Sequence, residues 1–284
     1  MRVLVLGGLG FIGKHFVRSA LARGEQVTVV DALTYAADRG VEFPFLMGDI
    51  AEMVELPAHD VVVNLAAQSH VGRSVEDIAP FVRSNVMGVQ RVLELSPKLL
   101  VHVSSDEVYG AIPAGRVDED APLKPSNPYA CTKASGDVMI AGSRARWRIL
   151  RPSNNYGAGQ HPEKLIPRCV QRIERGQPAE VHGDGQQERM WLHVEDTVAA
   201  LWTVIERGED GGVYNAAGEP RRNLEIVRAV CEAMGGQYRH VPDRAAQDRR
   251  YATDDSRLRG LGWAPRRAFG LEDIIEGDPW REAA

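Results

Sequence analysis

Residues 2–13 read RVLVLGGLGFIG, an apolar run that passes directly into closely spaced glycines. An unbroken apolar run is typical of a parallel β-strand that is covered on both faces. Gly7, Gly10 and Gly13 follow at intervals of three, where the strand turns into a helix. Without side chains, such a turn is tight, lets a pyrophosphate approach the backbone and allows close helix–strand packing, while the helix N-terminus attracts phosphate. The stretch therefore predicts the first βα unit of a dinucleotide-binding sheet.

Further apolar runs follow along the first half of the chain, at residues 26–31, 43–49, 60–67, 99–105 and 147–152. Helical patterns lie between several of them, at residues 12–22, 77–95 and 128–142. This alternation predicts an α/β fold with a Rossmann-type doubly wound parallel sheet, which binds ligands at the carboxyl ends of its strands. We expect residues 1–152 to form this domain. Residues 153–284 should form a smaller C-terminal substrate-binding region, with elements that return to the first domain.

Asp31 ends the second apolar run, 18 residues after Gly13. A carboxylate at this place accepts hydrogen bonds from the adenosine ribose hydroxyls and repels a 2′-phosphate, so it favours NAD over NADP. Asp49 follows the third run and is predicted to lie near the adenine. The alternative interpretation is that the glycines serve only turns and that the two carboxylates cap strand ends.

Candidate reacting groups occur in two stretches. Tyr129 and Lys133 lie four apart in YACTK, hence on one helix face. The ammonium is expected to lower the pKa of the phenol and make it a base towards a substrate hydroxyl, which Ser104 or Ser105 could also bind. Asp106 and Glu107 follow an apolar strand in VHVSSDEVYG. Two close carboxyls split their pKa values and can act as an acid and a base, although such a pair can also merely cap a loop or helix.

Composition excludes several classes of function. The 284 residues are 44% hydrophobic and 26% charged, with a net charge of -5, so no basic field supports nucleic-acid binding. Three well-separated cysteines without a C-x-x-C pair argue against disulfides or a thiolate metal site, and we expect no metal. The N-terminal apolar run is too short to cross a membrane, and we expect a cytoplasmic protein.

A resemblance adds detail to this interpretation. The chain resembles the extended short-chain dehydrogenases/reductases, and among them a shortened dTDP-glucose 4,6-dehydratase. The matching stretches, in order, are GGLGFIG, NLAAQSHVGRS, VSSDEVYG, NPYACTKAS, RPSNNYG, PEKLIP, GDGQQERMWLHVED and DRRYATDDSRLRGLGW. The shortening falls between Asp31 and Asn64, where we expect loops in place of the usual crossover helices and, as a result, weaker NAD binding.

The resemblance implies a lyase reaction in deoxysugar biosynthesis. Tyr129 would take the proton of the sugar's 4-hydroxyl as NAD takes hydride from carbon 4, with Lys133 holding the phenolate and the nicotinamide ribose. Glu107 would then remove the proton on carbon 5, protonated Asp106 would donate to the departing 6-hydroxyl, and hydride would return to carbon 6. A UDP-sugar 4,6-dehydratase, a 4-epimerase of the same fold and a non-catalytic nucleotide-sugar binder remain as alternatives.

The resemblance also implies a set of site residues and a homodimer formed through the helices at residues 77–95 and 128–142. The catalytic set is Tyr129, Lys133, Asp106, Glu107 and Ser105. The cofactor set is Gly7, Gly10, Phe11, Ile12, Gly13, Asp31, Asp49, Ile50, Ala66, Tyr129 and Lys133. The substrate set is Ser69, His70, Asn155, Lys164, Leu165, Arg189 and Arg250. The chain departs from the family at Gly72 and Met190, where Asp is usual, and at Ser105, where Thr is common.

Overall fold

The computed structural model describes residues 1–244 and 247–276. Its strands are β1 (Arg2–Leu6), β2 (Gln26–Asp31), β3 (Leu46–Met47), β4 (Val61–Asn64), β5 (Leu100–Val103), β6 (Trp147–Pro152), β7 (Asn154–Tyr156), β8 (Ala179–His182), β9 (Glu188–His193), β10 (Gly212–Ala216), β11 (Glu219–Arg222) and β12 (Tyr238–Val241). Its α-helices are α1 (Phe11–Ala22), α2 (Val71–Glu76), α3 (Ala79–Val82), α4 (Gly88–Glu94), α5 (Pro128–Ala141), α6 (Leu165–Glu174), α7 (Val194–Arg207), α8 (Asn223–Met234), α9 (Ser256–Gly260) and α10 (Glu272–Glu276).

The large sheet runs β10-β6-β5-β4-β1-β2-β3, and its strands pair in parallel throughout. The order reverses between β1 and β4, which is the point where a doubly wound sheet opens a crevice for ligands. The predicted Rossmann-type α/β fold is confirmed. Two smaller sheets lie in the C-terminal part, in the orders β11-β9-β7 and β12-β8.

Alternate residues of the central strands enter two separate cores. Val3 and Val5 of β1 pack in one cluster with Phe16 of α1 and Leu201 of α7. Leu4 and Leu6 of the same strand pack in the other cluster, together with side chains of α4 and α5. Because side chains of a strand alternate between its faces, a sheet with helices on both sides needs an apolar residue at every position. This explains the unbroken apolar runs in the sequence.

Two predicted elements differ from the structure. The apolar run at residues 43–49 forms only the short edge strand β3, where Met47 remains 77% exposed. Between β3 and β4, a fully described segment, the structure has no helix, so the expected replacement of crossover helices by loops is confirmed.

The predicted helix at residues 77–95 is preceded by the separate helix α2 and contains a π-helical stretch, Arg83–Met87, between α3 and α4. Pro80 explains the break after α2, because proline lacks the amide proton that a continuing helix needs.

The chain crosses more than once between the two predicted regions. Strand β10 follows residue 152 but pairs with β6 in the large sheet. Helix α7 packs against α1, where Trp202 stacks on Phe16 and donates a hydrogen bond to Ser19 at 3.0 Å. The C-terminal half therefore supplies both a strand and a covering helix to the first domain, while the division at residue 152 stays a prediction.

Candidate active site

One cavity lies along the carboxyl ends of β1, β2, β4, β5 and β6. The glycine turn after β1 and the loop after β2 line one part of it, and the Ser104–Glu107 segment lines another. From the C-terminal part, residues 159–161, Glu163 and Lys164 complete the wall. Lys164 donates a hydrogen bond to the carbonyl of Ser69 at 3.0 Å, which links this last segment to the loop after β4. The cavity thus joins the predicted cofactor region to the predicted reacting groups.

The glycine turn leaves no room for a side chain at Gly7 or Gly13. Gly7 has a φ of +78°, and a Cβ atom there would lie 2.5 Å from the backbone nitrogen of Ala66. A Cβ atom at Gly13 would lie 2.2 Å from the carbonyl oxygen of Gly7. Helix α1 begins directly after this turn, so its N-terminal amides face the same cavity edge that the turn forms. This is a backbone cradle of the kind that holds a pyrophosphate.

A Gly13→Ala variant should weaken NAD binding. The added methyl meets backbone atoms, which cannot rotate away, and such overpacking costs about 1–3 kcal/mol. We expect NAD affinity to fall by about ten- to a hundredfold, as measured by calorimetric titration. Gly260→Ala is a suitable control, because a Cβ atom there meets nothing within 4 Å. Equal NAD affinity of the Gly13 variant and the native chain would contradict the cradle.

The Asp31 carboxylate joins two backbone segments at the end of β2. It accepts hydrogen bonds from the amides of Leu9 and Leu33, both at 2.9 Å, one on each oxygen. Asp31 therefore acts as a strand-end cap and also lines the cavity, so the two interpretations of its role are compatible. Asp49 lines the cavity too, and its carboxylate accepts hydrogen bonds from Ala51 and from Arg83 at 2.8 Å.

Tyr129 and Lys133 lie in the cavity wall on one face of α5. Lys133 donates to the carbonyl of Val103 at 2.8 Å and contacts the ring of His102 at 3.3 Å, and burial lowers its pKa to about 8. The expectation that Lys133 lowers the pKa of the phenol is wrong. Burial and the neighbouring Glu107 raise the pKa of Tyr129, opposed by a hydrogen bond with Ser105. The lysine amine is directed to the β5 backbone instead.

The acid pair opens a 3-10 turn, Asp106–Tyr109, whose cap is Ser105 rather than either acid. Asp106 is 2% exposed, and its Oδ2 atom has no hydrogen-bond partner. Burial, followed by the charge of Glu107, raises the pKa of Asp106 to about 7. Glu107 also has a raised pKa because of burial, but the amide of Asn127 donates to its Oε2 atom at 2.9 Å. The two acids are therefore inequivalent, with the proton favoured on Asp106.

The predicted substrate residues separate into two groups. Ser69, Asn155 and Lys164 line the cavity, whereas the remaining four are not part of its wall: His70, Leu165, Arg189 and Arg250. Arg250 pairs with Glu188 of β9 at 2.8 Å and donates to the carbonyls of Ile112 and Gly115, so it joins β9 to the loop after the acid pair. Arg189 stacks 4.4 Å above the ring of Tyr251, and its charge lowers the pKa of both acids.

Two of the three departures from the family pattern, Met190 and Gly72, have simple structural settings. Met190 is 1% exposed and packs with Ala217 and Ala252, so this position has become part of a small apolar core. Its sulfur accepts a hydrogen bond from the amide of Thr253 at 3.4 Å. Gly72 lies beside the ring of His70, where a Cβ atom would be 3.0 Å from the nearest ring carbon.

Sequence reasoning missed two buried residues, Lys14 in the cavity wall and His102 next to Lys133. Lys14 lies in the cavity wall and is 2% exposed, with its amine bonded to Asp38 at 2.7 Å and to the carbonyl of Gly159 at 2.9 Å. His102 lies fully buried between Asn64 and Lys133, and burial holds its pKa well below the usual value. The sequence signal for His102 was a histidine inside an apolar strand. Nothing in the sequence pattern indicated Lys14.

The glycine cradle, Asp31 and the Tyr129–Lys133 face share one cavity, and these donors and acceptors fit a nicotinamide dinucleotide. Over residues 1–244 and 247–276, no group of His, Cys, Asp and Glu side chains could hold a metal ion. In the same described ranges, no helix is sufficiently long and apolar to cross a membrane.

Comparison with known proteins agrees with a site for a nicotinamide dinucleotide. Residues 3–217 match the NAD dependent epimerase/dehydratase family. The low-salt glycan biosynthesis protein Agl12 of Haloferax volcanii is 43% identical over 97% of this chain and 98% of its own. A dTDP-glucose 4,6-dehydratase of Streptomyces niveus is 41% identical over 97% of this chain and 92% of its own. The crystal structure of a double mutant of DesIV, a dTDP-glucose 4,6-dehydratase of Streptomyces venezuelae with NAD and DAU bound, superposes with a TM-score of 0.91 at 35% identity. That superposition covers 99% of this chain and 97% of the other.

Proposed function

The chain belongs to the NAD dependent epimerase/dehydratase family, and within this family we propose that it converts dTDP-glucose to dTDP-4-keto-6-deoxyglucose. It is an NAD-dependent hydro-lyase of nucleotide sugars. The observation that carries this assignment is the inequivalent acid pair, Asp106 and Glu107, in the same cavity wall as Tyr129 and Lys133. Loss of water across two carbons requires a proton donor and a proton acceptor side by side, and this pair supplies both.

The cofactor would be held by the glycine turn, by Asp31 at the adenosine ribose, and by Lys133 and Tyr129 at the nicotinamide end. NAD would supply the hydride acceptor and the source of the returning hydride, and its oxidised nicotinamide would supply positive charge to the site. Because the pKa of Tyr129 is raised in this buried setting, positive charge would be needed to favour the phenolate, which is the form that takes a proton.

The chain's own residues then divide the proton transfers. Tyr129 takes the proton of the 4-hydroxyl, and the resulting ketone acidifies the proton on carbon 5. Glu107 accepts that proton, and Asp106 donates its own to the 6-hydroxyl, which leaves as water. Return of the hydride to carbon 6 and of a proton from Glu107 to carbon 5 would complete the 4-keto-6-deoxy product. Tyr129 has then gained one proton and Asp106 has lost one, and proton exchange with water restores both groups. Burial of Asp106, with an Oδ2 atom that has no hydrogen-bond partner, favours the neutral, protonated donor at pH values below about 7.

Two alternatives use the same cavity differently. A 4-epimerase needs only oxidation at carbon 4, rotation of the keto sugar and reduction, and would give the acid pair no chemical role. A UDP-sugar 4,6-dehydratase would use every group described above, with a different nucleoside. Met190 lies beside Arg189, at a position where the family usually has Asp, and this changes the surroundings of a predicted substrate residue. A direct test must therefore identify both the nucleoside and the hexose.

Deuterium on carbon 4 of dTDP-glucose tests the proposed reaction. We expect the label to arrive at carbon 6 of a 4-keto-6-deoxy product, as observed by NMR and mass spectrometry. Retention at carbon 4 with inverted stereochemistry would establish an epimerase instead, and an unchanged sugar would indicate a binding protein. Parallel samples of UDP-glucose and UDP-N-acetylglucosamine, labelled in the same way, identify the preferred nucleoside and sugar.

The proposal includes a cytoplasmic homodimer. Support for the dimer comes from α5 and the adjoining π-helical stretch, which pack together and leave Val138 63% and Met87 49% exposed. Support for the compartment comes from the cysteine thiols, which are free in the described chain, and from a substrate and cofactor that occur in the cytoplasm. Light scattering should give the mass of two chains, and a mass of one chain would contradict the dimer.

A further inference from the structure

We propose that Asn127 is the positioning residue for the elimination step: its amide holds one oxygen of Glu107 and leaves the other oxygen to take the proton from carbon 5. This inference rests on the proposed function and adds a residue to it. Asn127 precedes Tyr129 by two positions and is 3% exposed.

The amide of Asn127 makes two hydrogen bonds in opposite directions. Its Oδ1 atom accepts from the backbone amide of Ala130 at 2.9 Å and so caps helix α5. Its Nδ2 atom donates to Oε2 of Glu107 at 2.9 Å. A backbone amide can only donate, so the oxygen of Asn127 must face Ala130 and the nitrogen must face Glu107. The helix cap thereby fixes the orientation of the donor.

The hydrogen bonds of the Glu107 carboxylate are directed to one oxygen. Besides Asn127, the hydroxyl of Tyr251 lies 3.4 Å from the same Oε2 atom. That hydroxyl lies closer to Asp248, at 2.8 Å, and it has one proton to donate. Asn127 is therefore the main donor to Glu107, and a carboxylate held at Oε2 keeps its Oε1 atom for a proton transfer.

This arrangement also links the positions of the two proton acceptors of the reaction, Tyr129 and Glu107. Helix α5 begins at the Asn127 cap and carries Tyr129 in its first turn. The same side chain therefore sets where the helix starts and where the Glu107 carboxylate lies. Among the described residues, Asp106 receives no comparable side-chain donor, since its side-chain hydrogen bond is with the Ser105 hydroxyl at 3.4 Å. The hydrogen bond from Asn127 is thus a structural reason why Glu107 rather than Asp106 becomes the base.

Other ionisable groups also act on Glu107, and they remain in place when Asn127 is changed. Arg189 and Lys164 lower the pKa of Glu107, whereas Asp248 raises it. The other ionisable neighbours are Asp106 on its own turn, Tyr129 on α5 and Tyr251. An effect of the Asn127 variants therefore reports the amide donor rather than a change of local charge, except where the new side chain itself is charged.

Two variants separate positioning from helix capping. Asn127→Ser keeps an oxygen that can cap Ala130, but its side chain is too short to reach Glu107. Asn127→Asp also caps, but it replaces the donor by an acceptor. In single-turnover experiments with dTDP-glucose, we expect Asn127→Ser to slow elimination by about ten- to a hundredfold, because a hydrogen bond to a charged group is lost. The acidic limb of the pH profile should move up by about one unit, and more for Asn127→Asp.

The two half-reactions provide the decisive comparison. In Asn127→Ser, oxidation at carbon 4 should proceed as in the native chain, so that reduced cofactor accumulates. An unchanged elimination rate and pH profile in both variants would overturn the inference. An equal loss of oxidation and elimination, in parallel with reduced thermal stability, would also overturn it, because that result is expected of a helix cap alone.

A measurement without turnover separates this inference from the proposed function. In protein labelled with 13C at glutamate carboxyls, and with the Glu107 signal assigned through Glu107→Gln, the pKa of Glu107 should rise in Asn127→Ser. A native chain that dehydrates none of the sugars overturns the proposed function, and with it any role of Asn127 in elimination, even if this pKa rises. A native chain that dehydrates its sugar, combined with an unchanged Glu107 pKa and elimination rate in the variant, overturns only the role of Asn127.

Discussion

Replacing Asp106 by Asn should block the loss of water while leaving oxidation at carbon 4 measurable. Asparagine has nearly the same shape but no acidic proton to transfer, and loss of a positioned proton donor costs about 10²- to 10⁴-fold in rate. Mixing the variant with dTDP-glucose should therefore produce reduced cofactor that persists, as followed by its absorbance, without release of a 4-keto-6-deoxy sugar. Asp118→Asn is a suitable control, since Asp118 is exposed and outside the cavity wall.

The pH dependence of the native chain follows from the same residue. The pKa of Asp106 is raised to about 7 by burial and by Glu107, so the carboxyl is protonated below this pH and charged above it. Because elimination needs the protonated form, its rate should fall as the pH rises through about 7. Normal turnover by Asp106→Asn, or a native elimination rate that increases across this range, would remove Asp106 from the role of acid.

Replacing Tyr129 by Phe should abolish oxidation at carbon 4, which precedes every later step. The ring still fills its buried place, but no group remains to take the proton of the 4-hydroxyl, and we expect a loss of about 10²- to 10⁴-fold. In contrast to Asp106→Asn, this variant should accumulate no reduced cofactor. Since the pKa of Tyr129 is raised, native oxidation should become faster as the pH rises, because more of the phenol is ionised.

The measurement for Tyr129→Phe is the single-turnover formation of reduced cofactor, together with calorimetric NAD binding. Binding should remain detectable, because the glycine cradle and Asp31 are unchanged. Tyr238→Phe removes a hydroxyl remote from the cavity wall and is a matched control. Oxidation at the native rate in Tyr129→Phe would show that another group accepts the proton of the hydroxyl.

The fold and the place of the site could be predicted because both depend on local patterns. The apolar run before Gly7 forms a strand, the glycines form the turn, and Asp31 ends the next strand, as expected. Parallel strands bring their carboxyl ends to one edge, so residues that follow different strands meet there. Asp106 and Glu107 could therefore be assigned to a cavity from their position after an apolar run. The run at residues 43–49 shows the limit, because an apolar segment forms only a short strand where little covers it.

Tertiary structure alone decided the protonation and the partners of the site. The spacing of Tyr129 and Lys133 was evident in the sequence, but the raised pKa of the phenol depends on burial and on Glu107, which lies on another element. Asn127 contacts Glu107 across 20 residues, and Tyr251 reaches it across 144. Sequence periodicity reports which face of a strand or helix is apolar, since that property repeats along the chain. Hydrogen bonds and desolvation depend on distances between segments that are remote in sequence, and these distances exist only in the folded chain.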